Sequence, residues 1–105
     1  MADIVEIVKG IKGDILALAQ THCAEFVQEA RTDGEAFIDA TKDDLATWAT
    51  LVVAGKINPK ELESLVRGKR DLAKMTLLKA KGLAQIKIDR LVAGIIDSTI
   101  KRITG

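Results

Sequence analysis

Residues 67–82 have the sequence "RGKRDLAKMTLLKAKG", which follows a clear helix start. That start is "NPKE" at Asn58–Glu61: Asn is a favoured N-cap, Pro suits the first helical position, and Glu follows the cap by three residues. A helix is therefore predicted to begin at Pro59. Residues 67–82 contain no proline, and only Gly68 and Gly82 disfavour helix. Whether the helix continues through this stretch or breaks near Gly82 decides the fold.

A continuous third helix over about 59–103 is the interpretation that we favour, because no proline interrupts the chain after Pro59. Such a helix would be roughly 68 Å long, whereas a compact chain of this length has a radius of gyration of about 13 Å. A compact monomer cannot contain it. We therefore expect a homo-oligomer, with a dimer as the favoured form.

The predicted third helix carries one apolar seam, whose spacing is close to the ~3.67 residues per turn of an eleven-residue repeat. A seam of this kind stays on one face of a helix and is typical of a coiled-coil contact with a second subunit. Alanines within it would permit close approach of two helices. The predicted oligomer interface consists of Leu77, Ala80, Ala84, Ile88, Leu91 and Ile95.

The alternative is a break at "KAKG", Lys79–Gly82. Glycine ends many helices because it adopts left-handed backbone angles without strain. A break near Gly82 would give four shorter helices in a closed, monomeric four-helix bundle. The mass of the protein in solution distinguishes this alternative from the oligomer.

The N-terminal half predicts a helical hairpin. Apolar residues recur with helical periodicity from Ile4 to Phe26, which predicts an amphipathic helix over about 2–31. "TDGE" at Thr32–Glu35 combines turn residues with a capping box and predicts a second helix over about 33–54, ending before Gly55. No alternating apolar and polar run indicates a strand. The sequence thus predicts an all-α single domain, residues 1–105, in which this hairpin and the long C-terminal helix form a bundle.

The net charge of +1 conceals two halves of opposite sign. Residues 1–55 contain four basic and ten acidic residues, whereas residues 56–105 contain twelve basic and five acidic ones. The first interpretation of this asymmetry is pairing within the protein or between its subunits, with Glu35, Asp39 and Asp43 as the facing acids. Four cations would share one face of the third helix: Arg67, Arg70, Lys74 and Lys81.

Two less favoured interpretations use the same four cations to bind a polyanion. Nucleic-acid binding would neutralise phosphates, but all three aromatic residues, Phe26, Phe37 and Trp48, lie in the acidic half, away from these cations. Binding to a membrane surface would need free apolar residues opposite the cations, and a bundle needs those residues for its core. Internal pairing is therefore favoured over both.

The residue types that perform catalysis or hold metals are poorly placed. His22 and Cys23 are the only residues of their types, and neighbours on a helix point about 100° apart, so they cannot act on one atom. Asp43 and Asp44 are adjacent, so they cannot face one bond from opposite sides. No nucleotide-binding, nucleophile-elbow or zinc motif is present. We expect no enzymatic activity, no cofactor and no metal.

The sequence predicts a cytoplasmic protein. Its longest uncharged apolar stretch, Leu45–Gly55, falls short of the about 18 residues that a membrane-spanning helix needs. The N-terminus contains acids where an export signal has basic residues, and a single cysteine gives no reason for an oxidising compartment. We expect a non-enzymatic assembly or adaptor module that self-associates through its long helices and contacts a protein partner.

Overall fold

The structure, a computed structural model that describes residues 3–105, confirms the all-α class, and none of these residues lies in a strand. The described chain measures 43 × 22 × 19 Å, with a radius of gyration of 13.5 Å. The predicted helix start near Ala2 lies outside the described residues. Five helices follow one another: α1 Ile4–His22, α2 Val27–Val53, α3 Pro59–Arg67, α4 Thr76–Ala80 and α5 Gln85–Thr104. Short 3₁₀ turns lie at Ala24–Phe26 and Arg70–Leu72.

The first two helices meet at a different place from the one predicted. α1 ends at His22, and the chain turns through Cys23–Phe26, whereas the predicted first helix extends to residue 31. The apolar periodicity that predicts one helix continues across this turn, so it gives no sign of the break. Cys23 is only 1 % exposed and becomes part of the core at the turn.

The predicted turn at Thr32–Glu35 lies inside α2 instead. A Cβ atom on Gly34 would lie 2.7 Å from Cγ2 of Ile15 and 3.2 Å from Cδ1 of Ile95, so Gly34 is where α1, α2 and α5 approach closely. Its neighbour Asp33 bonds to α4. Residue types that are typical of turns therefore serve contacts between helices here.

The end of α2 and the start of α3 agree with the prediction. α2 ends at Val53, and Gly55 has a φ of +71°, while the amide of Lys56 donates to the carbonyl of Leu51 at 2.8 Å. These features form the glycine stop that the sequence predicts. The capping box at Asn58–Glu61 is also present in full, with the Glu61 amide donating to Oδ1 of Asn58 at 2.8 Å.

The predicted continuous third helix is not formed. The chain leaves helical geometry after Arg67 and again after Ala80, so the longest dimension of 43 Å is well below the roughly 68 Å of a straight helix. The alternative break near Gly82 is present: Gly82 has a φ of +77°, and the Leu83 amide donates to the carbonyl of Leu78 at 3.2 Å. The four helices of that alternative are wrong, because the further break at Gly68–Met75 gives five helices within residues 3–105. Folding back allows the chain to bury residues that a straight helix would leave in solvent.

One core runs through the molecule. α1 packs against both α2 and α5, α3 packs against α5, and α4 packs against α2. Burial of these apolar side chains supplies the main favourable free energy of folding. The largest apolar side chains that are completely or nearly completely buried are Ile11, Ile15, Ile38, Leu45, Leu62, Leu78, Leu91, Ile95 and Ile96.

Candidate functional site

The six residues of the predicted oligomer interface do not form one surface. Ile88, Leu91 and Ile95 are at most 3 % exposed and pack inside the core of the single chain. The other three, Leu77, Ala80 and Ala84, are exposed. The bend at Lys81–Ala84 separates the two groups, so the seam that a straight helix would present is divided between core and solvent.

The segment between α3 and α5 is attached to the core at a few points. Both carboxylate oxygens of Asp33 accept hydrogen bonds, from the amide of Leu77 at 3.2 Å and from the amide of Leu78 at 2.9 Å. These bonds satisfy two amides that the start of any helix leaves free. The side chains of Met75 and Leu78 are at most 2 % exposed. The side chains of Thr76 and Leu77, which lie between Met75 and Leu78, face solvent.

Met75 has an unusual backbone. Its φ of +49° places it in the left-handed region, where non-glycine residues are uncommon because the backbone is strained. It immediately precedes α4. Its side chain is buried, and the bend at this residue sets the direction of α4.

Three cations line one open cavity of about 260 Å³ beside the start of α5. They are Arg70, Lys74 and Lys79, and all three are exposed. Two acids share the cavity: Asp71, and Asp89, which accepts a hydrogen bond from Nε2 of Gln85 at 2.8 Å. The cavity therefore carries an excess of positive charge at its rim.

The structure divides the four predicted polyanion-binding residues. Arg67 bonds to Glu63 at 3.0 Å and to Asp97 at 3.2 Å, and the hydrogen bond to Glu63 is the main reason why the pKa of Arg67 is raised. Arg70, Lys74 and Lys81 form no ion pair with any residue in the range 3–105. We call residues 70–81, with their exposed cations Arg70, Lys74, Lys79 and Lys81, the cationic segment.

Lys79 belongs to the cavity although the sequence places it on another face. A straight-helix projection from Arg67 assigns it a direction away from Arg70 and Lys74. The backbone departs from a helix at Gly68–Met75, so the projection fails beyond that point. No periodic signal in the sequence identifies Lys79, because the angle of the bend depends on tertiary contacts.

The two charged halves do pair within the chain, but through other acids than those predicted. Asp14 pairs with Arg102 at 2.9 Å, Glu25 with Lys87 at 2.9 Å, and Asp44 with Lys69 at 2.8 Å.

The acids expected to face the cations have different roles. Glu35 pairs with Arg31 and Asp39 with Lys12, both within the N-terminal half. Asp43 takes part in no ion pair within residues 3–105. Exposed pairs each contribute about 0–1 kcal/mol, so they orient the helices more than they stabilise them.

Asp14 is the most connected of these acids. Nε of Arg102 donates to its Oδ2 and Nη2 to its Oδ1, both at 2.9 Å, and the hydroxyl of Ser98 donates to Oδ2 at 2.6 Å. The bonds from Arg102, with a smaller contribution from Ser98, lower the pKa of Asp14. This cluster joins α1 to the last turns of α5.

The aromatic side chains offer no stacking surface. Phe37 is 4 % exposed and Trp48 is 8 % exposed, and Phe26 packs against the core. Nζ of Lys69 lies 6.0 Å from the centroid of the Trp48 ring and covers part of that ring. Unstacked bases bind such faces in single-strand binding proteins, and the rings of Phe37 and Trp48 are not free to do so.

His22 and Cys23, the residues considered for catalysis and metal binding, lie at the end of α1. Cys23 is buried in the core, and burial raises the pKa of its thiol, which opposes formation of the reactive thiolate. His22 is half-buried at the end of α1. No group of three or more potential metal ligands occurs within residues 3–105.

Apolar side chains are also exposed near the cations. Leu72 and Leu77 are each 42 % exposed and belong to the cationic segment. The segment thus combines positive charge with two large apolar side chains.

No helix within residues 3–105 is long and apolar enough to cross a membrane.

Comparisons of the chain with protein-family models, with curated proteins and with solved structures found no match. The function is therefore inferred from the side chains and their geometry alone.

Proposed function

We propose that the protein is a non-enzymatic adaptor that binds an acidic protein surface through the cationic segment. The observation that carries this proposal is the set of four exposed cations within residues 70–81, which have no ion-pair partner in the described chain, while Arg67 and Lys69 beside them are paired. Cations with no partner in their own chain are available to a second molecule.

The surroundings of these cations favour a protein over a nucleic acid. Asp71 and Asp89 on the same cavity would repel the dense, continuous charge of a phosphate backbone more strongly than the more widely spaced carboxylates of an acidic protein surface. Leu72 and Leu77 would add apolar contact at the same place, at about 1 kcal/mol each for their exposed area. Phe37 and Trp48 are buried and Phe26 is partly buried against the core, so no row of free rings is available on which successive bases could stack.

Binding to an anionic membrane surface is the second candidate, because Leu72 and Leu77 lie among the cations as in surface-bound amphipathic segments. α4 has only five residues, however, which is short for a helix that lies in a membrane interface. Vesicles are therefore included in the test.

The test compares two triple variants with the same change in net charge. Arg70→Glu/Lys74→Glu/Lys79→Glu reverses the cavity cations, and Lys9→Glu/Lys42→Glu/Lys56→Glu reverses three exposed lysines elsewhere. The probes are fluorescent polyglutamate, a 20-base-pair DNA duplex, and vesicles of phosphatidylcholine with phosphatidylserine, each at low and moderate salt. We expect the cavity variant to lose about 10–100-fold in affinity for polyglutamate, from three pairs of up to ~1 kcal/mol each.

The control variant should retain most of its affinity for polyglutamate. Equal losses in both variants would show that net charge alone causes binding, and the proposal would be wrong. Binding to vesicles without binding to polyglutamate would establish the membrane candidate instead. Binding to the duplex alone would establish nucleic-acid binding.

A further inference from the structure

The apolar seam of residues 77–95 is only half used by the folded chain. Ile88, Leu91 and Ile95 are buried, whereas Leu77 is 42 % exposed and Ala80 and Ala84 face solvent. The exposed three continue the register of the buried three if residues 76–104 are placed on one helix. In the observed fold the bend at Lys81–Ala84 destroys that register. The compact fold therefore does not explain why the exposed and the buried residues share one register.

The bend itself is short. It consists of four residues, Lys81–Ala84, of which only Leu83 is buried. Gly82 allows the reversal through its φ of +77°, and a Cβ atom there would meet nothing within 4 Å. No proline prevents these four residues from becoming helical. α4 on one side is attached independently, through Asp33 and Leu78.

We propose that the chain also forms a domain-swapped dimer in which Lys81–Ala84 become helical, α4 and α5 form one helix, and α5 packs in the core of a second copy. Each α5 would keep its contacts with α1, α2 and α3, now on the partner, because the two copies are identical. Short hinge loops favour such exchange. The partner copy supplies the α5 side chains, without which the core is incomplete.

The straightened helix gives the exposed half of the seam a use. Leu77, Ala80 and Ala84 of one copy would meet the same residues of the other across the twofold axis, where small alanines allow close approach. Straightening the hinge moves chiefly the side chain of Leu83 out of the core, where it is 8 % exposed in the compact chain. Dimer formation then depends on protein concentration.

The first test is Gly82→Ala. Alanine is strained at a positive φ in the compact chain and favours the continuous helix, so the dissociation constant of the dimer should fall about tenfold per chain and about 100-fold for two chains. The matched control is Gly13→Ala, which also replaces a helix-disfavouring glycine and meets nothing within 4 Å. After refolding from urea at high protein concentration, light scattering of Gly82→Ala should give twice the chain mass of 11.3 kDa.

The second test distinguishes a swapped dimer from an ordinary one. Asp14→Arg and Arg102→Asp each place like charges at the contact between α1 and α5 within one chain. In a swapped heterodimer, the α1 of each variant packs against the α5 of the other variant. Both contacts between positions 14 and 102 then join opposite charges, whereas in each swapped homodimer they join like charges. The two variants refolded together should therefore form heterodimers preferentially. The readout is native mass spectrometry of the mixture against each variant alone.

Two results would overturn the proposal. Gly82→Ala that keeps the mass of 11.3 kDa at every concentration would show that the hinge does not open. A mixture of the charge variants that contains no more than the statistical share of heterodimer would show that α5 is not exchanged. If the charge variants fail to fold separately, recovery of folded protein only on mixing supports exchange, and failure of the mixture contradicts it.

Discussion

Replacement of Gly34 by alanine tests a close contact among three helices. The new Cβ would lie 2.7 Å from Cγ2 of Ile15 and 3.2 Å from Cδ1 of Ile95. Both isoleucines are completely buried, so neither can move aside into solvent. Overpacking of this kind costs about 1–3 kcal/mol, and the better helix propensity of alanine returns about 0.5–1 kcal/mol. We expect Gly34→Ala to lower the free energy of unfolding by about 1–2 kcal/mol.

Gly13→Ala is the matched control for this change. It has the same chemistry within α1, but its Cβ would meet nothing within 4 Å, so it should stabilise the protein by about 0.5–1 kcal/mol. Urea unfolding of both variants, monitored by circular dichroism, measures the two free energies of unfolding. In thermal unfolding, the midpoint temperatures of the two variants should move in opposite directions. An equal stabilisation in both variants would refute the helix packing described for α1, α2 and α5.

Two further predictions concern charged contacts. Asp33→Ala removes the acceptor for the amides of Leu77 and Leu78 and should cost about 2 kcal/mol of stability in urea unfolding, while Asp33→Asn should recover part of it through the amide oxygen; no loss in either variant would show that α4 does not depend on this contact. The lowered pKa of Asp14 predicts a stabilising contribution that is present above the unfolded pKa and is lost as the pH falls through the folded value. The stability difference between the wild type and Arg102→Gln should therefore shrink from about pH 5 to about pH 2, and a difference independent of pH would contradict the pairing.

The helix boundaries that local chemistry predicts are those made by residues close together in sequence. The capping box at Asn58–Glu61 and the stop at Gly55 depend on hydrogen bonds between neighbours, and both are present. The turn predicted at Thr32–Glu35 is absent because Asp33 and Gly34 are used by distant helices. A pattern of residue types does not show whether its hydrogen bonds are local or tertiary.

The candidate site shows the same division. The abundance of cations between Arg67 and Lys81 is evident from the sequence, and so is their concentration in the basic half. Which of them remain unpaired depends on where α5 and α2 lie, since Arg67 pairs with Asp97 and Lys69 with Asp44. Lys79 joins the cavity only because the chain bends before α4.

The helical class and the opposite charges of the two halves follow from composition and periodicity, because intrinsic propensity and side-chain spacing act within a few residues. The places where the chain reverses between α1 and α2 and between α3 and α5 follow from tertiary packing. At these places local preferences differ little between a helix and a bend. Burial of Cys23, Met75, Leu78 and Leu83, each at most 8 % exposed, favours the compact arrangement over a straight helix.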